Sequence, residues 1–382
     1  MDFPGGSADI LEIDEKAQTI LIQPERHERR GLEAWWYIKV SGIRPGEPVT
    51  LRVTGGTIGK GKNWAWINQA SFSADGIHWE LTEPGTLSGE NALGFVEYRQ
   101  RVEGTQAWFA YDLPYLPVHA RQMFDLAIGK SPSAQVFELC RTRGEREVLA
   151  LRICESGEAK TAFGVWLMAR CHAWESGTSW VLQGLCEWLL SQDSDATFLR
   201  RHAEVTLVPI MDVDSAVLGR SGKRQKPRDH ARDWDEHPYW PSVAASMREI
   251  RRLSTERRFD VLVDMHGPGG AAPYFIVPAF STLPELQRAN LQLFMDAFPA
   301  PPRNKASHAG PSSTQYTYDA RESHPLPGTP MNWALKNTSD KVVAVTLECA
   351  LDTPLSHHKG YLSQGEALGR GIARYIRAKA EV

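Results

Sequence analysis

The sequence predicts an α/β domain, with a mixed sheet flanked by helices, preceded by a small antiparallel β-sandwich. Three observations carry this reading. Short β-rich runs punctuated by Gly and Pro fill roughly the first 125 residues, with no long helical period. Beyond that point near-continuous apolar runs alternate with helical patterns, as in α/β domains with a buried sheet. Four of the later strand ends carry ionisable residues. We therefore divide the chain into residues 1–125 and 126–382.

In the first part, Ala34–Gly42 (AWWYIKVSG) and Pro48–Gly55 (PVTLRVTG) read as strands bounded by Gly and Pro. SFSADGIHWEL places Asp75-Gly76 between two strand-like runs, which is a hairpin signal. Trp108–Leu116 (WFAYDLPYL) is a further aromatic strand, ended by Pro114 and Pro117. Trp35, Trp36, Trp64, Trp66, Trp79 and Trp108 offer either a carbohydrate-binding face or a core, and alternating aromatics in a sandwich favour core.

In the second part, Glu147–Glu155, Thr161–His172, Glu204–Met211, Phe259–Gly267 and Lys341–Ala350 read as strands. Ser176–Ser191, Pro241–Glu256 and Leu362–Lys379 have apolar residues at helical spacing, and Pro241 stands where a first-turn proline is tolerated. The polar, basic segment Gly219–Pro241 is long enough to be a functional loop.

Composition excludes several classes. The chain has 382 residues, 42% hydrophobic and 23% charged, ample for a core. A net charge of −3 carries no nucleic-acid footprint. Five cysteines, an odd number without zinc-ribbon spacing, read as reduced thiols. No leader-like segment and no membrane-length apolar window is present. We expect a cytoplasmic protein with no membrane or nucleic-acid partner; its oligomeric state is not set by these features.

The strand ends carry the chemistry. His172-Ala-Trp-Glu175 follows one strand and precedes a helix, and a three-residue offset can bring imidazole and carboxylate to one point. His266 closes another strand, next to Gly267-Pro268-Gly269-Gly270, and Glu348 closes a third. Two imidazoles and one carboxylate are a ligand set for catalytic zinc, which leaves a fourth position for water. A carboxylate outside that set, Glu348, suits a general base. Each residue alone has a plainer reading: a helix-start charge, a structural histidine, an ion-pair partner.

The combination resembles the zinc carboxypeptidase family and, within it, the cytosolic carboxypeptidase branch. His172 and Glu175 match the HxxE motif, Pro209–Gly219 (PIMDVDSAVLG) resembles PxxNPDGxxxG, and Asp229–Trp234 (DHARDW) resembles DxNRxW. Asp264–Gly267 (DMHG) and Thr346–Glu348 (TLE) match the strands of the third ligand and the catalytic glutamate. WWYIKVSGIRPGEPVTLRV and FAYDLPYLPVHARQ resemble the start and end of the branch's N-terminal sandwich. The resemblance implies a mixed, eight-stranded-type sheet and one zinc per chain on His172, Glu175 and His266, with Glu348 as base. It also implies Arg232 as the grip on a C-terminal carboxylate and Asp229 as the residue that orients a metal-bound histidine. A loop tyrosine falls on Tyr318 or Tyr316. The family's oxyanion arginine falls in register on Gln225, and we assign that role to adjacent Arg224, with Arg220 on the substrate. Arg220, Lys223, Lys336 and Lys341 are candidates to read an acidic side chain, and Ala231 stands where the family has asparagine.

The implied activity is removal of C-terminal amino acids from peptides or proteins. Ala231 and Gln225 keep two alternatives open, a zinc amidohydrolase on a small or branched amide (acyl-amino acid or γ-glutamyl) and a non-catalytic binding protein on the same fold.

Overall fold

A computed structural model describes residues 3–26, 31–59, 62–89, 94–155, 162–256, 258–267, 270, 272–298, 319–323 and 326–381. Two sheets form the N-terminal part. One runs in the order Asp9–Asp14, Thr19–Gln23, Glu47–Thr54, Phe95–Val102, Thr86–Ser88; the other runs Tyr37–Ser41, Gln106–Ala110, Ser71–Ser73, Glu80–Leu81. Alternation drives them together: along Glu47–Thr54, Val49, Leu51 and Val53 are buried while Thr50 and Arg52 are partly exposed. The expected hairpin is present, with Phe72 opposite Glu80 and the Asp75 carboxylate accepting the N–H groups of Ile77 and His78. One pairing departs from a purely antiparallel sandwich, because Thr19–Gln23 lies parallel to Glu47–Thr54. Trp35 and Trp36 are buried, and their indole N–H groups donate to the carbonyls of Gly5 and Ala65. Trp35 and Trp36 therefore build core, and the half-buried Trp64, Trp66, Trp79 and Trp108 pack against it.

The second part is built on eight strands: β1 (Ala134–Arg141), β2 (Glu147–Ile153), β3 (Phe163–Ala169), β4 (Ala203–Val208), β5 (Val261–His266), β6 (Tyr274–Pro278), β7 (Asp319–Ser323) and β8 (Val343–Glu348). Their order is β1-β2-β4-β3-β5-β8-β6-β7. The four central strands, β4, β3, β5 and β8, are mutually parallel, whereas β2 meets β4, and β6 meets β8, antiparallel. Val165, Trp166, Leu167 and Met168 are consecutive and all buried, which requires cover on both faces. Helices α1 (Pro117–Lys130), α2 (Gly177–Leu189), α3 (Ser194–His202), α4 (Val213–Val217), α5 (Pro241–Thr255), α6 (Glu285–Asp296), α7 (Pro330–Asn337) and α8 (His358–Ala380) accompany the sheet. Residues 125 and 126, where the sequence reading divides the chain, lie inside α1. Its buried Ala120, Met123, Phe124 and Ala127 belong to the core of the eight-stranded sheet.

Two devices place α2, the helix that follows Glu175. The first is contact with α8: a Cβ on Gly184 would sit 2.2 Å from the Leu362 carbonyl, and one on Gly365 1.9 Å from the Val181 carbonyl. The helix backbones touch there, which only glycine permits. The second is Asp112, buried behind the start of α2. Its carboxylate accepts the Gly177 N–H at 2.9 Å, the Ser176 hydroxyl at 3.2 Å and the Tyr361 hydroxyl at 2.6 Å. Burial pushes its pKa up, and those donors oppose the shift. None of the five cysteines forms a disulfide. Among the described residues no helix is long and apolar enough to cross a membrane.

At the start of α1, His119 Nδ1 accepts the Leu116 N–H at 2.8 Å, and burial pulls the imidazole down to about 4. The unfolded ring takes its proton near 6.5. Between those values the unfolded chain carries the extra proton, so stability falls as pH is lowered through that window. His119→Gln keeps an acceptor without the proton. Denaturant titrations from pH 7 to 4 should show the variant losing less stability than the wild type, by up to about 1.4 kcal/mol per pH unit.

Candidate metal centre

The parallel core strands deliver their C-terminal ends to one edge of the sheet, where open α/β sheets place their sites. β3 leaves that edge through Arg170, a non-glycine residue at φ 63, and the chain then runs Cys171, His172, Ala173, Trp174, Glu175 into α2. The turn is closed by the Glu175 N–H on the His172 carbonyl at 3.2 Å, and the Trp174 N–H donates to the Ser221 carbonyl at 3.0 Å. Trp174 is fully buried and belongs to the core of the N-terminal sheets, 5.4 Å from the Tyr111 ring and 5.9 Å from Trp64. His266 and Glu348 end β5 and β8 and are paired in register.

His172, Glu175 and His266 form a buried cluster whose ligand atoms all lie within 4.8 Å of one another. His172 Nδ1 is 2.9 Å from Glu175 Oε1, His266 Nδ1 is 2.9 Å from Glu175 Oε2, and the two Nδ1 atoms are 3.0 Å apart. The other nitrogens face acids: His266 Nε2 is 2.8 Å from Asp264, and His172 Nε2 is 3.6 Å from Asp229. An imidazole that gives its Nε2 proton to a carboxylate leaves a lone pair on Nδ1. Both Nδ1 lone pairs and both Glu175 oxygens then converge on one point, which is a cradle for a cation. His172 Nε2 and Asp229 Oδ1 are buried without a hydrogen-bond partner and lie 3.6 Å apart. The donor set fits zinc, which takes histidine nitrogen and carboxylate oxygen.

The charges agree. Burial opposes ionisation of Glu175, yet His172, Lys223 and His266 hold its pKa well below the usual range. Burial works against Asp229 too, but His172 and the Arg224 N–H hold it down to about 2. Glu348 is partly exposed and has its pKa raised by burial, with His266 acting in the other direction.

The remaining residues of the sequence reading scatter. Arg232 is exposed, with one Nη1 bond to the Ala231 carbonyl at 2.9 Å. Ala231 is fully buried. Arg224 does not supply a charge to the cluster: its backbone N–H donates to Asp229 and its side chain is exposed. The cation that arrives is its neighbour Lys223, with Nζ 3.4 Å from Glu175 Oε1. Gln225 is committed elsewhere, its amide donating to Asp212 at 2.8 Å and lying 3.0 Å from His230 Nδ1. Arg220 is exposed, and Lys341 precedes β8, at the end of that strand opposite Glu348. Lys336 lies exposed in the last turn of α7. Tyr316 and Tyr318 lie outside the described residues.

Two residues that the sequence reading did not assign belong to this site. Asp264 precedes His266 by two positions on a strand, so both side chains share a face. Tyr274 pairs in register with Glu348 across β6 and β8, and burial followed by the Glu348 charge pushes its phenol up. The first was readable from period-two spacing; the second needed the strand order.

Residues 121–364 match the profile of a family described as Zinc carboxypeptidase. An uncharacterised protein of Zymomonas mobilis is 26% identical over 296 residues, covering 76% of this chain and 73% of that protein. Cytosolic carboxypeptidase 3 of Bos taurus is 22% identical over 286 residues, which cover 69% of this chain and only 28% of the relative. Among solved structures, a metallo-carboxypeptidase from Burkholderia cenocepacia superposes with a TM-score of 0.78 at 21% identity, covering 99% of this chain and 98% of that one. A metallo-carboxypeptidase from Pseudomonas aeruginosa, solved with (2-guanidinoethylmercapto)succinic acid, gives 0.72 at 19% identity, with 100% and 98% covered. At these identities the structural matches establish the fold.

Asp264→Asn should weaken zinc binding by about 10- to 100-fold in competition with a chromogenic chelator, with an unchanged circular dichroism spectrum. An unaltered affinity would detach Asp264 from the centre.

Proposed function

The chain belongs to the zinc carboxypeptidase family, and on that footing we propose that it is a zinc-dependent metallocarboxypeptidase that hydrolyses C-terminal amino acids from peptides or proteins. The observation that carries the proposal is the convergence of His172, Glu175 and His266 beside Glu348. His172, Glu175 and His266 would hold the zinc, which when bound would supply Lewis-acid polarisation of the scissile carbonyl and a more acidic water. Glu348 takes the proton of the attacking water and passes it to the leaving amine. Its partial burial next to His266 suits both tasks, because a carboxyl pKa raised toward the working pH makes the carboxylate a better proton acceptor than a solvated one and leaves the acid so formed able to pass the proton on. Asp264 and Asp229 hold the two imidazoles in the tautomer that points Nδ1 inward. Arg232 presents an exposed guanidinium for the substrate's terminal carboxylate, a bidentate charged pairing. The names of the cytosolic relatives support a cytoplasmic location.

Ala231 favours one second reading. With a buried methyl beside Arg232, that position offers the terminal carboxylate no amide, which suits a zinc amidohydrolase on a small or branched amide. Equal rates on blocked and free C-termini would select that reading. A preference for free ones supports the exopeptidase.

Glu348→Gln should retain one zinc per chain and lose about 10²–10⁴-fold in kcat. Full activity in that variant would remove Glu348 from the mechanism. Arg232→Ala should raise KM for free C-terminal peptides by about 10- to 100-fold, the equivalent of about 1.5–3 kcal/mol for hydrogen bonds to a charged group. Turnover of amidated peptides should be spared, and steady-state kinetics on the paired substrates reads the difference.

A further inference from the structure

The two halves of the molecule leave a cleft of about 770 Å³ between them, and none of His172, Glu175, His266 and Glu348 lines it. One wall is the hairpin of the N-terminal sheets, through Ile77, Trp79, Glu80 and Leu81. The other is built from α1, α2 and the start of α8, through His119, Trp180, Gln183, His357, His358 and Lys359. Both walls carry an indole. Trp180 is buried and fixed: its N–H donates to the Leu113 carbonyl at 3.3 Å, and the rings of Tyr115 and His358 meet it edge-on at 4.8 and 4.7 Å. Trp79 is half-buried and packs against both cores. With Leu81 and Leu113 the two indoles give the cleft an apolar middle that suits an aromatic ring.

The polar groups around that middle have both signs and are unspent. Glu80 and Lys359 are exposed, and among the described residues neither forms an ion pair. Gln183 donates its amide to Glu187 at 2.9 Å, which fixes the way the amide points and leaves Oε1 buried without a partner. His119 and His357 each spend Nδ1 on a backbone N–H, that of Leu116 at 2.8 Å and that of Gly360 at 3.4 Å. In the neutral rings the proton then sits on Nε2, so each ring keeps an N–H donor to offer. Counting imidazoles as neutral, the lining carries one ammonium and one carboxylate, Lys359 and Glu80. An anionic ligand would leave Glu80 opposed, and a cationic one Lys359. A zwitterion answers both.

We propose that this cleft is a binding site for a free aromatic amino acid, with its ring against Trp79 and Trp180, its carboxylate on Lys359 and the imidazole N–H groups, and its ammonium on Glu80. The size and the place between two folded parts are those of small-molecule sites, which run to about 300–1,000 Å³. The site uses no metal ligand and no turnover, so it stands apart from the hydrolase reading.

The test titrates L-tryptophan into the zinc-loaded full chain by calorimetry. Binding should saturate with a Kd of about 1 mM or tighter. Tryptophanamide lacks the carboxylate and indole-3-propionate lacks the ammonium, so each should bind about 10-fold more weakly, through loss of a charged hydrogen bond. Lys359→Gln should abolish the preference for tryptophan over its amide, and Glu80→Gln the preference over indole-3-propionate. Both side chains are exposed, so both variants should keep the wild-type circular dichroism spectrum. Stripping zinc with a chelator should leave the tryptophan Kd unchanged. Absence of saturable binding overturns the proposal, and so does equal affinity of the wild-type protein for tryptophan and its two analogues. A Kd that weakens when zinc is removed also overturns it, because the amino acid is then bound at the metal centre.

Discussion

Four acceptors aimed at one buried point are the constraint on which the rest of the molecule depends. Two imidazole lone pairs and both oxygens of Glu175 meet within hydrogen-bonding distance, in a place where the protein excludes most water. Left without positive charge, such a cluster costs several kcal/mol for the buried carboxylate alone. The arrangement persists because neighbours fix it from behind. Asp264 and Asp229 face the outer ring nitrogens, Lys223 faces Glu175, and Asp112 secures the first turn of α2.

The central parallel strands make this economical. Neighbouring parallel strands end at the same level, so His266 and Glu348 are adjacent because β5 and β8 are adjacent. The third strand of the group, β3, adds its ligands one turn later, after the bend at Arg170. The N-terminal sheets are part of the same assembly. Trp174, placed between the two β3-side ligands in sequence, is core of those sheets, and Asn68 donates its N–H to Asp352 just beyond β8 at 2.7 Å.

Much of this was legible before any coordinates. Apolar runs ending near His172, His266 and Glu348 are visible in the sequence as buried strands, and it is the combination of three such ends, not any one of them, that singles the residues out. Tyr274 was hidden, since its place beside Glu348 follows from β6 entering the sheet antiparallel next to β8, which no local pattern encodes. Lys223 lies next to the positions that counting from the motif reaches, Gln225 and Arg224, and which of these side chains meets Glu175 depends on the course of a turn with positive φ at Gly222 and Arg224 that no local pattern encodes. In the N-terminal part, Pro114 and Pro117 were read as strand terminators. Pro117 instead opens α1, whose apolar Ala120, Met123, Phe124 and Ala127 follow helical spacing.

The glycine contact between α2 and α8 bears on how the protein is made. Every residue of the acceptor cluster, and Glu348 beside it, leaves the ribosome before α8 does. Until residues 358–380 have been synthesised, the face of α2 that carries Gly184 lacks its α8 partner. The support behind Glu175 is therefore a contact of high sequence separation, and it forms only once two distant stretches of the domain have met.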